Sequence, residues 1–134
     1  MSRKKSREAA FQFLYQLEFR TDDPDPQRAV FLENNPLQGK DLEYFDSIVS
    51  GVFEKKEELD ASFSPYLIGW KLDRIPKVDL AILRIACYEI LFDESIPSNV
   101  SISEAVILAK QYSTEESKSY INAILGRIDS GKTE

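Results

Sequence analysis

The stretch PKVDLAILRIACYEILF, residues 76–92, constrains the fold more than any other part of the chain. At the helical period, Val78, Ala81, Ile82, Leu83, Ile85, Ala86, Ile90 and Leu91 nearly encircle the axis. A helix that is apolar all round needs neighbours on every side, which predicts the centre of a helical bundle. Pro76 suits a helix start, and Asp79 falls in the first turn, where an acid is favoured. With 17 residues and Asp79, Arg84 and Glu89 inside it, the stretch is too short and too charged to span a membrane. Arg84 needs a partner there. Glu89, five residues on, is poorly placed, so an acid from another helix, such as Glu104, is expected.

Helical spacing recurs along the rest of the chain. Ala10, Leu14 and Leu17 share one stripe of a first helix, with Phe13 beside it, and Phe11, Tyr15 and Phe19 form a neighbouring stripe. This helix is expected over Ser6–Arg20, ended by TDDPDP. A short helix over Asp25–Glu33 follows, ended by NNPLQG. Asp41 can cap a longer helix carrying Leu42, Phe45, Val49, Val52 and Leu59. ASFSPYLIGW reads as a short helix with Pro65 in its first turn, and Trp70 and Ile75 anchor the connection beyond it. Ser101 and Glu104 stand at capping-box spacing before AVILAKQY. Thr114 can cap a last helix with Glu115 and Glu116 in its first turn and Ile121, Ile124, Leu125 and Ile128 as its buried face. Strand alternation is absent. The expected architecture is all-α, one domain over residues 1–134 with about seven helices, a basic arm at residues 1–5 and a flexible tail at 129–134.

A chain of 134 residues, 43% hydrophobic and 30% charged, has the composition of a globular protein rather than a disordered one. Its lone cysteine, Cys87, excludes an internal disulfide, and the basic start lacks the apolar run of a secretory signal. A cytoplasmic protein is expected. There is no histidine, no pair of cysteines for zinc and no glycine-rich phosphate loop, so neither catalysis nor a metal or other cofactor is expected. The DD, EE and DE pairs read as caps and solvated surface. Cys87, set between Ala86 and Tyr88, reads as a buried small hydrophobe rather than a nucleophile.

Binding features are better developed. The chain carries a net charge of -6, yet Arg3, Lys4, Lys5 and Arg7 precede its first acid. Cations at a helix N-terminus oppose the helix dipole, which suggests that they are used, and lysine and arginine can neutralise phosphates. The alternative is a solubilising tail. A second candidate lies in TEESKSYIN, where Lys118, Tyr120 and Asn122 could meet RNA. An exposed Tyr120 would stack on an unpaired base, and Asn122 would read a base edge. Alternatively, Tyr120 packs on a neighbouring helix. Glu116 could accept from base amino groups or serve only as a first-turn acid.

Three stretches together resemble the NusB family of bacterial transcription antitermination factors. They are the basic cluster with REAAFQFLYQLEF, then PYLIGWKLDRIPKVDLAILRIACYEILF, then IPSNVSISEAVILAKQYSTEESKSYINAILGRI. The resemblance implies two helical bundles and binding to the boxA sequence of ribosomal RNA leaders together with the ribosomal protein NusE. It also implies action with other Nus factors on the RNA polymerase elongation complex, helping it through terminators. Arg3, Lys4, Lys5 and Arg7 fall on the family's arginine-rich start. The two lysines keep the charge but lose the planar fork of arginine. Glu116 and Tyr120 fall where the family often has Asp and Phe near the RNA, and Asn122 matches the family residue. Tyr15, Tyr66 and Asp79 match positions expected to meet NusE, with Asp79 pairing a partner cation. Some members of the family are monomers and others are homodimers.

The resemblance extends to a helical domain of some ribosomal RNA cytosine methyltransferases, but a free-standing factor is expected here. The rival reading is a helical protein–protein adaptor that does not touch RNA, with an enzyme a distant third.

Overall fold

The computed structural model describes residues 3–20, 22–67 and 72–132. Among the described residues there are seven α-helices: α1 Arg3–Leu17, α2 Pro24–Asn34, α3 Gly39–Glu54, α4 Lys56–Phe63, α5 Lys77–Phe92, α6 Ser98–Tyr112 and α7 Glu115–Lys132. Two 3-10 turns, Ser64–Tyr66 and Leu72–Arg74, lie between α4 and α5, and no strand occurs among these residues. This is the all-α fold that the spacing predicts. The chain divides into two compact units, residues 1–51 and 52–134.

The core of the first unit is aromatic. Phe13 of α1 lies 5.3 Å from Phe31 of α2 and 5.7 Å from Phe45 of α3, and Phe31 and Phe45 stack at 5.8 Å. Such pairs add to the large apolar area that each ring buries. Helix α1 starts and stops three residues earlier than expected, so Arg3, Lys4 and Lys5 of the basic arm form its first helical turn. Met1 and Ser2 lie outside the described residues. Asp23 caps α2, its carboxylate accepting from the Asp25 amide at 3.1 Å, and proline fits the first turn because no intrahelical N–H is needed there. Gly39 opens α3 at φ +56°, a left-handed conformation suited to glycine. Asp41 therefore sits inside the first turn of α3 instead of capping it.

The second unit is built around α5, which packs on α4, α6 and α7. Every residue from Asp79 through Cys87 is buried, as the all-round apolar pattern requires. Buried charges on α5 are answered from other helices. Arg84 makes a two-pronged ion pair with Asp60 of α4, Nε to Oδ1 at 2.8 Å and Nη2 to Oδ2 at 2.9 Å, so the expected partner Glu104 is replaced by Asp60. Glu89 accepts from the Ser101 hydroxyl at 2.8 Å. That bond explains why Ser101 is not the cap of α6. The helix begins earlier, at Ser98 behind Pro97, and Ser101 turns inward to serve a buried carboxylate.

The continuous apolar spacing from Leu42 to Leu59 is broken at Lys55, whose φ of -105° and ψ of 17° separate α3 from α4. Pro65 falls in the 3-10 turn rather than an α-helix. Ile75 is buried as expected, while Trp70 lies outside the described residues. Thr114 caps α7, accepting from the Ser117 amide at 3.0 Å. Helix α7 continues through residues 129–132, where a flexible tail was expected. Residues 133–134 lie outside the described residues. Cys87 is fully buried, with its sulfur 2.9 Å from the Ser62 hydroxyl. Burial pushes its thiol from 9.0 up to about 11, so it stays protonated at neutral pH and is a poor nucleophile.

Candidate nucleic-acid interface

The four cations of α1 take two different roles. Arg3, Lys4 and Lys5 are exposed, whereas Arg7 is only 4% exposed. Arg3 and Arg7 are one turn apart on the face turned towards Tyr44 of α3. Their guanidinium carbons lie 4.3 and 5.5 Å from the ring centroid. Arg7 is thus buried against Tyr44, unlike the three exposed cations before it in the basic run. Lys5 also lines a cavity of about 310 Å³ with Gln12, Asn34 and Asn35. The NNP segment read from sequence as a helix stop, and spacing could not reveal that Asn34 and Asn35 line one cavity with Lys5 and Glu8, their amide nitrogens donating to the Val30 and Phe31 carbonyls. Amides are groups that can read base edges.

On α7 the TEESKSYIN residues separate by helical geometry. Ser117, Ile121, Ile124, Leu125 and Ile128 are buried and define the inward face. Lys118 and Asn122, four residues apart, lie on one flank. There, with Ser119, they border a cavity of about 520 Å³ whose other wall includes Ile102, Ser103, Val106 and Ile107 of α6. Glu116 and Tyr120, also four apart, lie on the opposite flank. Glu116 and Asn122 are exposed, and Lys118 and Tyr120 partly so. Lys118 pairs with Glu115 at 3.1 Å. The structure therefore divides the expected RNA residues of α7 into two pairs on opposite flanks.

The Tyr120 hydroxyl turns inward and donates to Asp79 of α5 at 2.5 Å. The same carboxylate accepts from Ser113 and Ser117, each at 2.6 Å. Burial and the neighbouring Asp79 carboxylate raise the Tyr120 phenol well above its usual range, so it stays a donor at physiological pH. Asp79 is fully buried. Where the resemblance implies pairing with a partner cation, the carboxylate in this chain faces three internal hydroxyls.

The other two expected partner residues are partly exposed. Tyr15 stacks on Phe11 at 6.2 Å and meets the edge of Phe19 at 5.0 Å. Phe19, assigned by spacing to an apolar stripe, follows the end of α1 and is 60% exposed. Tyr66 lies beneath Arg127 at 4.9 Å. Among the described residues no three His, Cys, Asp or Glu side chains could jointly hold a metal ion, and no helix is long and apolar enough to cross a membrane.

Comparison with known proteins places this geometry in context. Residues 4–130 match the model of the NusB family. The transcription antitermination protein NusB of Acetivibrio thermocellus is 49% identical over 96% of this chain and 88% of its own length. Among solved structures, T. maritima NusB superposes with a TM-score of 0.89 at 37% identity, covering 97% of this chain and 92% of that one. A chain from the crystal structure of antitermination factors NusB and NusE in complex with dsRNA gives a TM-score of 0.87 at 25% identity, with 96% of each chain covered. Matched by family model, sequence and fold over nearly its whole length, the chain belongs to the NusB family.

Proposed function

We propose that the chain is a cytoplasmic RNA-binding transcription antitermination factor. It binds the boxA sequence of ribosomal RNA leader transcripts jointly with NusE and helps RNA polymerase, with other Nus factors, to pass terminators. No catalytic step belongs to this role. The observation that carries the reading is the match over residues 4–130 to the NusB family, one of whose structures contains NusE and dsRNA. The exposed turn Arg3-Lys4-Lys5 supports it, since it offers three cations to phosphates on an otherwise acidic chain. On α7, Glu116 and Tyr120 contribute base contacts on one flank, and Lys118 and Asn122 contribute on the other. The exposed Phe19 with Tyr15, and separately Tyr66, contribute to the protein partner's surface.

Filter binding with a boxA RNA, with and without NusE, tests this reading. The expected result is weak retention by the chain alone and at least about 10-fold tighter retention with NusE, a coupling in the ordinary range for linked sites. A stable complex with NusE that ignores RNA would instead identify a protein–protein adaptor.

A further inference from the structure

The cluster around Asp79 has no role in the reading above, and its construction is specific. A carboxylate with no exposed surface stands in the most apolar helix of the chain. Burying such a charge is unfavourable unless donors surround it, and an apolar side chain would pack there more readily. The donors all come from the α6–α7 turn and the start of α7. Ser113 serves Oδ1, and Ser117 and Tyr120 both serve Oδ2. Thr114 adds an outer layer, donating to the Ser117 hydroxyl at 3.0 Å while it caps α7.

Of these donors only Tyr120 carries a ring, and the residue is partly exposed while its hydroxyl is tied inward. A phenol anchored at its far end cannot swing freely about its side-chain torsions. We infer that Asp79 is a positioning residue for RNA: by holding the Tyr120 hydroxyl, it fixes the ring at the surface in a stacking pose before an unpaired base arrives. A ring ordered in advance loses less conformational freedom on binding, and stacking on an aromatic is a sequence-tolerant source of affinity. The inference rests on the RNA-binding reading and deepens it. Asp79 acts on RNA through Tyr120, without contact to RNA itself.

A double-mutant cycle on RNA affinity tests this, using the full chain with NusE and the same boxA RNA, with melting curves for each variant. Tyr120→Ala, which removes the ring, is expected to weaken binding by roughly 10-fold or more. Tyr120→Phe keeps the ring and removes the anchor. Tyr120→Phe and Asp79→Asn are each expected to weaken binding several-fold, and the double variant no further than the weaker-binding single variant. If Asp79→Asn weakens binding by the same factor in the Tyr120→Phe background, Asp79 acts only on the fold and the inference is overturned. If Asp79→Asn does not fold, Tyr120→Phe decides alone: unchanged RNA affinity overturns the inference, and a several-fold loss with an unchanged melting transition upholds it. An ineffective Tyr120→Ala removes Tyr120 from the RNA site and the inference with it. RNA binding through the exposed cations of α1 would still be intact, so the two failures are distinguishable.

Discussion

Arg28 and Arg84 grip a carboxylate in the same two-pronged way, one in each unit, and burial separates them. Arg28 holds Asp46 with both contacts at 2.8 Å, and the two side chains are 39% and 42% exposed. Arg84 holds Asp60 at 2.8 and 2.9 Å with exposures of 7% and 14%. Water screens the first pair and competes for its partners. The second pair is out of reach of that competition, so each member depends on the other. The contrast extends to the units themselves. The first is held by three mutually packed phenylalanines, and the second places Asp79, Arg84 and Glu89 in its central helix and answers each from another helix.

This difference predicts unequal responses to equivalent changes. Arg84→Ala leaves Asp60 without its main cation and is expected to lose about 3–5 kcal/mol, lowering the melting temperature by more than about 10 °C. Arg28→Ala, the counterpart in the first unit, is expected to lose less than about 1 kcal/mol in the same calorimetric measurement. Equal losses would remove burial as the distinguishing factor.

Between these extremes lies an alkaline effect of the second unit. The thiol of Cys87 is raised from 9.0 to about 11 in the folded chain, so folding favours its protonated form. That contribution is fully present below pH 9 and declines as pH rises from about 9 to 11, when the unfolded thiol releases its proton and the folded one does not. Urea melts across this range should show stability falling with pH, and Cys87→Ala should flatten the fall. A slope that Cys87→Ala leaves unchanged would place the alkaline loss elsewhere, for instance on Tyr120.

The sequence was most informative where a single helix decides the matter. The all-round apolar pattern located α5 as the centre of its unit, and Thr114 marked the start of α7 because its hydroxyl bonds an amide three residues away. It was least informative where a side chain answers a residue far along the chain. Asp60 lies 24 residues from Arg84, and no periodicity relates the two. Ser101 has the spacing of a cap, but the pull of the buried Glu89 carboxylate outweighs it. Arg7 belongs to a basic run in sequence, and only the placement of Tyr44 on another helix draws it inward. Asp79 fits a first-turn acid, and its role appears only when three hydroxyls from the α6–α7 turn and α7 close around it. The family resemblance identified the function, while only the structure separates the exposed Arg3, Lys4 and Lys5 from the buried Arg7 and Asp79.

The most direct measurement is the salt dependence of RNA affinity for the chain and for a Lys4→Ala/Lys5→Ala variant, both with NusE. Both lysines are exposed, so the melting transition should hold. The slope of log K against log salt is expected to become shallower by about 1.4, or roughly 0.7 for each lost phosphate contact on a single strand. Affinity and slope unchanged from those of the parent chain would contradict RNA binding through the first turn of α1.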